Sequence, residues 1–223
     1  MNITWYGHSC FKITTQGQKN KEKVNIIIDP YNESTGLKLP KIEGDVFLFT
    51  HNHSDHNNRS VVGKNAFIID CSGEYELKDI FIQGISSFHD EKKGKERGIN
   101  TIYTVEAEDV RVCHLGDFGE VELSDKQLQQ IGEVDILMIP IGGNYTIDAK
   151  TATKIITQAE PRIVVPMHYK IEGLKLEIDG LEQFLKAIGQ KSVEKEEKIS
   201  VQKKTLLTGE MKIIPLLPQT KSS

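Results

Sequence analysis

The chain has 223 residues, a net charge of −4 at pH 7, 38% hydrophobic residues and 27% charged residues. This length and composition fit a soluble globular chain with a full core, because chains of this size bury most of their unfolded surface. A mildly negative charge gives no electrostatic footprint for nucleic acid or for an anionic membrane. Without a linker-like composition shift, we predict one domain over residues 1–218 and a frayed tail over 219–223.

The three cysteines, Cys10, Cys71 and Cys113, form an odd set without a C-x-x-C spacing. This pattern indicates no disulfide framework and favours a reducing compartment, so we expect a cytoplasmic protein with three buried thiols. The first eight residues lack the basic and apolar regions of a signal peptide. No apolar run approaches the roughly 18–20 residues that span a bilayer, so we expect no membrane insertion.

The first half of the chain is predicted to be mostly β structure. Short apolar stretches rich in β-branched and aromatic residues, bounded by Gly, Pro and Asx turns, are typical of strands. The predicted strands cover residues 2–6, 10–15, 24–28, 46–50, 66–70, 80–85, 100–105 and 110–113, with a loop at 73–75. The charged segment 91–98 is predicted to be a solvated hairpin tip, and a mobile flap is the alternative.

The second half alternates between helix and strand. A helix is predicted between Ser124, a candidate N-cap, and Gly132, a stop signal. Two more helices are predicted over 148–160 and 181–189, and strands over 135–140, 162–165 and 211–215. Two sheets packed face to face, with helices outside, would satisfy this order of elements and give an α+β fold.

Residues 50–56, Thr-His-Asn-His-Ser-Asp-His, carry the most informative pattern in the chain. Three histidines and one carboxylate, His51, His53, His56 and Asp55, lie together at the end of a predicted buried strand. Imidazole and carboxylate groups are the usual protein ligands of Zn²⁺, Fe²⁺ and Mn²⁺. A rigid strand end can aim several short side chains at one point, so the pattern predicts a metal site.

Three further candidate ligands, His89, Asp117 and His168, each lie at or just past the end of an apolar strand-like stretch. The ends of neighbouring strands meet at one rim of a sandwich, so these loops can converge on one pocket. The number of ligands then suits two metal ions. One ion would take His51, His53 and His89, the other would take Asp55, His56 and His168, and Asp117 would bridge them.

These motifs resemble those of the metallo-β-lactamase superfamily. Residues 50–56 match its HxHxDH signature at every fixed position, and His89 resembles its third histidine. Gly116-Asp117 resembles its bridging-aspartate motif, and Pro166-Met167-His168-Tyr169 resembles its C-terminal histidine motif. The resemblance covers nearly the whole chain and implies a four-layer αββα sandwich.

Within the superfamily, the chain looks most like a small, uncharacterised metal-dependent hydrolase branch. That branch is related to the ascorbate-6-phosphate lactonase and N-acylphosphatidylethanolamine phospholipase groups. Gly7-His8-Ser9, His114-Leu115-Gly116-Asp117 and the Gly142-Gly143 loop carry this similarity. Asp117 stands where many true β-lactamases have cysteine, and the long appended domain of nucleic-acid-processing members is missing. Both departures argue against antibiotic hydrolysis and RNA maturation.

Two histidines are ambiguous at this point. His114 could replace His89 as a ligand on chemistry alone, but the superfamily has its third histidine on an earlier strand end, which favours His89. His114 then either faces the substrate or orients a ligand, and a hydrogen-bonded strand histidine is the alternative. His8 has the same two interpretations. Cys113 alternates with His114 along the strand, so it should lie on the opposite face in the core.

The predicted function is metal-assisted hydrolysis of an ester, lactone or phosphodiester bond in a small-molecule substrate. Asp55, His8 and His114 are the predicted catalytic residues, as orienting, basic or acidic groups. The predicted cofactors are two divalent ions, with Zn²⁺ favoured over Mn²⁺ and Fe²⁺. An iron-containing redox protein and a non-catalytic metal-binding module are the alternatives. A homo-oligomer is compatible with the sequence.

Overall fold

The computed structural model describes residues 1–17, 19, 21–206 and 210–220. The strands of this part are β1 (Asn2–Trp5), β2 (Phe11–Gln16), β3 (Lys23–Ile28), β4 (Val46–Leu48), β5 (Phe67–Ile69), β6 (Gly73–Leu77), β7 (Ile80–Phe88), β8 (Ile99–Ala107), β9 (Val110–His114), β10 (Ile136–Pro140), β11 (Ile163–Met167), β12 (Ile199–Ser200) and β13 (Lys212–Ile213). Its α helices are α1 (Asp125–Ile131), α2 (Ala149–Ala159), α3 (Leu181–Ala187) and α4 (Lys203–Leu206), and 3₁₀ turns cover Glu33–Thr35 and Arg59–Val61.

The strands form two mixed sheets. The six-stranded first sheet has the order β12-β1-β2-β3-β4-β5, and the seven-stranded second sheet has the order β13-β11-β10-β9-β8-β7-β6. Strands β9, β10 and β11 are parallel, whereas β7 and β9 each pair with β8 in the antiparallel sense. Strands β7, β9 and β11 therefore run in the same direction and end at the same edge of the second sheet.

The main core lies between the two sheets, as side-chain alternation along the strands shows. In β3, the side chains of Val24, Ile26 and Ile28 are fully buried in this core. The intervening Ile27 packs on the other face of the sheet, in a smaller apolar cluster that includes Phe47 of β4. Burial on both faces explains why β3 and β4 are continuous apolar runs.

The outer layers of the sandwich differ. Helices α1 and α2 lie against β7 and β10 of the second sheet, and α3 packs on α2. The outer face of the first sheet is covered by the loop over residues 30–45, whose Tyr31, Leu37 and Ile42 complete the smaller cluster. The predicted α+β sandwich of two face-to-face sheets is confirmed.

The predicted helix boundaries are confirmed where the sequence carries capping residues. Ser124 caps α1 in a capping box with Gln127, and Gly132 follows the helix end. Asp148 caps α2 by accepting a hydrogen bond from the Thr151 backbone N–H at 2.8 Å. The buried face of α2 then presents Ala152, Ile155 and Ile156 to the core.

Two sequence predictions were wrong in this part of the chain. Residues 73–75, predicted as a loop, begin the edge strand β6, in which exposed Glu74 and Glu76 alternate with half-buried neighbours. Cys71, predicted to be buried, is exposed, whereas Cys10 and Cys113 are buried as predicted. The short elements β12 and α4 were not predicted, because two to four residues carry too little periodicity.

The chain ends lie close together in the fold. Strand β12 pairs with β1, and the Gln219 backbone N–H donates to the Trp5 carbonyl at 2.8 Å. Residues 221–223 of the predicted frayed tail lie outside the described residues, and the extent of the domain, 1–218, stays a prediction. Within the described ranges, no helix combines the length and the apolar character that crossing a bilayer requires.

Candidate metal centre

The candidate ligands come from loops at one rim of the sandwich. His89, Asp117 and His168 follow β7, β9 and β11, the three strands that end at the same edge of the second sheet. Residues 51–56 follow β4 of the first sheet. The structure brings together all seven residues that were predicted as metal ligands, because these strand ends face one another across the core.

The first cluster contains His51, His53 and His89, as predicted. One ring nitrogen of each histidine lies within 4.8 Å of those of the other two. His89 is buried, whereas the side chain of His53 is exposed and forms the open side of the cluster. Three imidazoles at this spacing match the donor set of a divalent metal ion.

The second cluster contains His56 and His168, as predicted, together with His8. Their ligand atoms also lie within 4.8 Å of one another, and all three side chains are fully buried. His8 Nε2 lies 3.2 Å from Asp55 Oδ2 and 2.9 Å from His56 Nε2. Asp55 Oδ2 lies 3.7 Å from His56 Nε2. His8 therefore faces the cluster, and the sequence interpretation of His8 as a core histidine is not favoured.

His8 and His168 also share an unusual backbone. Their φ angles are 52° and 50°, in the left-handed region that residues other than glycine seldom adopt. The His168 N–H donates to the His8 carbonyl at 3.1 Å, which ties the two loops together. Such strain often marks a functional site, and both residues belong to the second cluster.

Asp117 lies between the two clusters. Its Oδ2 is 3.3 Å from the Nε2 of His89, 3.9 Å from that of His51 and, on the other side, 3.2 Å from that of His56. The Nε2 of His168 lies 3.3 Å away. One carboxylate oxygen thus contacts histidines of both clusters.

Asp29, which directly follows β3, orients two of the histidines. Its fully buried carboxylate accepts from the Thr50 N–H at 2.8 Å, from Thr50 Oγ1 at 2.6 Å and from His56 Nδ1 at 2.9 Å. His51 Nδ1 donates in turn to Thr50 Oγ1 at 2.9 Å. Both oxygens of Asp29 are therefore occupied, and the Nε2 atoms of His51 and His56 are left to face the clusters.

The electrostatics of the rim depend on burial and on the neighbouring charges. Burial and the nearby histidines lower the pKa of His8 to about 4, and burial lowers that of His51 to about 3. Burial also acts to raise the pKa of Asp117, but His168 and His56 outweigh it and hold that pKa well below its usual range. At His56, burial acts to lower the pKa, but the carboxylates of Asp117 and Asp29 outweigh it and hold that pKa well above its usual range. The shifts at His8, His51 and Asp117 therefore favour neutral imidazoles and an ionised carboxylate, the protonation states that metal ligation requires, whereas His56 would give up a proton when a metal ion binds.

Several buried polar atoms at the rim lack a partner among the described residues. They include the Nε2 atoms of His51 and His168 and the Oδ1 atom of Asp117. Leaving a buried polar atom without a hydrogen bond is costly, and buried groups are nearly always satisfied. Two of them belong to clustered histidines and the third to Asp117 between the clusters, so divalent cations fit this donor set.

His114 occupies a different environment from the clustered histidines. Its Nε2 donates to the Ser9 carbonyl at 3.0 Å, and its Nδ1 accepts from the Gly116 N–H at 3.1 Å. Both ring nitrogens are therefore engaged by backbone groups. These contacts tie the loop that carries Asp117 to the loop that carries His8, which favours a positioning role over proton transfer.

The segment after His89 is folded tightly by Asp90. The Asp90 carboxylate accepts hydrogen bonds from four backbone N–H groups, those of Lys92, Gly94, Glu96 and Arg97. The Arg97 guanidinium also donates to the Asn144 carbonyl at 3.0 Å and lies 5.6 Å from the centre of the Tyr145 ring. These contacts favour the predicted hairpin tip over a mobile flap.

A pocket of about 580 Å³ opens beside the first cluster. It is lined by His51, Arg59, Asp70, Cys71, Ser86, Phe88, Ile99 and neighbouring residues. A larger cleft of about 750 Å³ lies at the amino ends of β10 and β11, but none of the clustered histidines lines it. The smaller pocket is therefore the candidate substrate site.

The chain is similar to proteins of one family along most of its length. A family model described as a beta-lactamase superfamily domain matches residues 2–168. A UPF0173 protein of Pyrococcus abyssi is 33% identical over 207 residues, which are 80% of this chain and 90% of the relative. A UPF0173 metal-dependent hydrolase of Staphylothermus marinus is 30% identical over 197 residues, 75% of this chain and 82% of the relative.

A solved structure has the same fold. It is that of a Thermotoga maritima protein described as a Zn-dependent hydrolase of the metallo-β-lactamase superfamily. It superimposes with a TM-score of 0.76 at 31% identity, over 96% of this chain and 97% of that chain. The matched span of the family model includes every candidate ligand from His51 to His168. The chain therefore belongs to the beta-lactamase superfamily, among relatives named UPF0173 metal-dependent hydrolases.

Proposed function

We propose that the chain is a hydrolase that uses a dinuclear metal centre to cleave an ester, lactone or phosphodiester bond in a small-molecule substrate. The single observation that carries this proposal is the position of Asp117 Oδ2, within 3.9 Å of histidine nitrogens from both clusters. A carboxylate can bridge two cations and partly neutralise both. The names of the relatives support hydrolysis.

In this proposal, His51, His53 and His89 would hold one cation, Asp55, His56 and His168 would hold the other, and Asp117 would contribute to both. Zn²⁺ is favoured because the donor set is dominated by imidazole, while Mn²⁺ and Fe²⁺ remain alternatives to be tested. When bound, such a pair supplies Lewis acidity and lowers the pKa of water from about 15.7 toward about 7.

The protein's own residues position the reactants. The Asp55 side chain is one-quarter exposed, so it can orient the attacking water at the open side of the site or take its proton. His8 Nε2 donates to Asp55 Oδ2 and fixes that carboxylate. A positioned general acid or base contributes about 10²–10⁴-fold. His114 contributes by holding the loops of Asp117 and His8 together.

The proposal is tested with protein that has been stripped by a chelator and reloaded separately with Zn²⁺, Mn²⁺ or Fe²⁺. The panel of substrates contains aryl esters, lactones and phosphodiesters. We expect hydrolysis of at least one class that disappears with the chelator and returns with the metal. A protein that binds metal and turns over no class would be a non-catalytic module. Iron loading with a visible absorption band and no hydrolysis would indicate the redox alternative.

A further inference from the structure

The pocket beside the first cluster has two unlike walls. The apolar wall contains Phe88, which is half-buried, and Ile99, which is 71% exposed although it is a large hydrophobic residue. The polar wall contains the side chains of Arg59 and Asp70, and His51 of the candidate metal centre lines the same pocket. A molecule bound there would reach the metal centre from the side of His51.

Arg59 is the cationic side chain on the polar wall. Its guanidinium lies 4.9 Å from the centre of the Phe49 ring. Its Nε donates to Asn57 Oδ1 at 2.9 Å, and its Nη2 donates to Asp70 Oδ2 at 2.6 Å. Contacts with Phe49, Asn57 and Asp70 thus fix the position of the guanidinium. Preorganisation of this kind lowers the entropy cost of binding a ligand.

The Arg59 guanidinium also has N–H groups that can donate hydrogen bonds to a ligand. Within the described part of the chain, no protein atom accepts a hydrogen bond from its Nη1, and the Arg59 side chain is about half exposed, at 48%. Phe49 lies two residues before His51 in the chain, so its contact with the guanidinium holds the charge near the metal centre. Arginine presents its donors in a fork that matches the oxygens of carboxylate and phosphate groups.

We propose that Arg59 is a specificity-determining residue that binds an anionic group, a carboxylate or a phosphate, on the substrate. The anionic group lies at the polar wall, an apolar part of the substrate lies against Phe88 and Ile99, and the scissile bond lies toward His51. This inference rests on the proposed function, because it assigns a substrate class to the same site. Asp70 competes with the substrate for the guanidinium.

The test compares matched aryl esters in the metal-loaded protein. One ester of each pair carries a carboxylate or a phosphate monoester, and the other carries a neutral group of similar size. The readout is the ratio of kcat/KM for the anionic and neutral members. In Arg59→Gln we expect this ratio to fall by about 10-fold, carried mainly by KM, because one charge-assisted contact at a half-exposed site is lost. Arg59→Lys should restore part of the ratio.

Two further variants separate recognition from damage. Lys64→Gln removes the same charge from an exposed residue outside the pocket lining, and it should leave the ratio at the wild-type value. Asp70→Asn removes the competitor, so the ratio should rise a few-fold. A fall in Arg59→Gln with a rise in Asp70→Asn supports the inference. An unchanged ratio in Arg59→Gln, or an equal fall in Lys64→Gln, overturns it.

A binding measurement keeps this test independent of turnover. Calorimetric titration of the metal-loaded protein with benzoate and with phenyl phosphate should give about 10-fold weaker binding in Arg59→Gln than in the wild type. The tighter probe identifies the anionic group. If no substrate is hydrolysed, the proposed function fails while this difference still decides the role of Arg59. Equal binding by both proteins overturns that role.

Discussion

Two buried aspartates, Asp135 and Asp117, lie at opposite ends of the second sheet and are satisfied in different ways. Asp135 precedes β10 and is 4% exposed. It lies 2.9 Å and 3.0 Å from Lys203 Nζ, accepts from the Arg111 N–H at 3.0 Å and lies 3.6 Å from Arg162 Nε. Asp117 follows β9 and is 2% exposed. Histidines surround it, and its Oδ1 has no partner among the described residues.

The difference separates a structural carboxylate from a functional one. A buried charge must be compensated, and Asp135 is compensated by side chains that carry a permanent positive charge. Asp117 is surrounded by imidazoles, which carry no permanent charge: burial lowers the pKa of His51 to about 3, while Asp117 and Asp29, against burial, raise that of His56. The fold therefore completes the site around Asp135 by itself, whereas in our proposal the site around Asp117 would be completed by cations from solution.

The largest expected effect comes from Asp117→Asn. The substitution keeps the shape of the side chain but removes the charge that both clusters share, so metal occupancy and hydrolysis should fall together. Replacing a residue that only orients a metal ligand typically costs 10–100-fold, so we expect a loss of more than ~100-fold in kcat/KM. Elemental analysis and kinetics on the same preparation check it. Full activity of Asp117→Asn with two bound metals would contradict the assignment of Asp117 as a bridging ligand.

Asp29→Asn should have the next largest effect. The amide has only one oxygen and cannot accept all three hydrogen bonds that the carboxylate accepts. The orientation of His56 and, through Thr50, of His51 is therefore lost. We expect metal affinity to fall by about 10–100-fold while the fold is retained. Competition with a metal-binding dye measures the affinity. The matched control is Thr50→Val, which removes the hydroxyl between Asp29 and His51 but keeps the direct hydrogen bond of His56 to Asp29, so it should lose less. Wild-type affinity in Asp29→Asn would remove its orienting role.

Lys203→Met tests the other end of the sheet. It leaves Asp135 buried with weaker compensation, and we expect a loss of about 1–3 kcal/mol in the free energy of unfolding. The estimate is at the low end for a buried pair because the Lys203 side chain is 39% exposed. Urea denaturation measures the loss. Metal content and turnover should stay at wild-type values. A parallel loss of metal would contradict the distinction between a structural Asp135 and a metal-binding Asp117.

The smallest effect is expected for Asp90→Asn. Asp90 follows the candidate ligand His89, but its hydrogen bonds with four backbone N–H groups satisfy it without a cation. The amide should lose part of this set, so hydrogen exchange of the amides at 92–97 should accelerate a few-fold. Metal occupancy should be retained. Exchange rates equal to the wild type would show that another contact holds this loop.

Much of the candidate site could be predicted from the sequence, because most ligands follow a strand end. Residues 51–56 lie together in the chain, and His89, Asp117 and His168 follow apolar runs, so the topology of a sandwich and the resemblance to a known signature were enough. Asp29 also follows a strand, but its partner His56 lies 27 residues away. Nothing local distinguishes such a carboxylate from an ordinary turn residue.

The missed features depend on contacts between distant parts of the chain. His8 was a candidate in the sequence, but its contact with Asp55 spans 47 residues and was not predicted. Cys71 is exposed because it lies on the connection between β5 and β6, which lines the pocket. Residues 73–75, at the start of the edge strand β6, were predicted as a loop, because glycine and glutamate are depleted in strands. The alternation of the β6 glutamates with Tyr75 and Leu77 was present in the sequence, and it is the pattern of a half-exposed strand.

The central claim is that Asp117 is shared by two cations, and manganese measures this most directly. We predict that chelator-stripped protein takes up two equivalents of Mn²⁺ per chain and gives an exchange-coupled electron paramagnetic resonance spectrum. In Asp117→Asn, that coupled signal should disappear, leaving the spectrum of isolated Mn²⁺. Uptake of a single equivalent by the wild type, or an identical coupled spectrum in Asp117→Asn, would contradict the account.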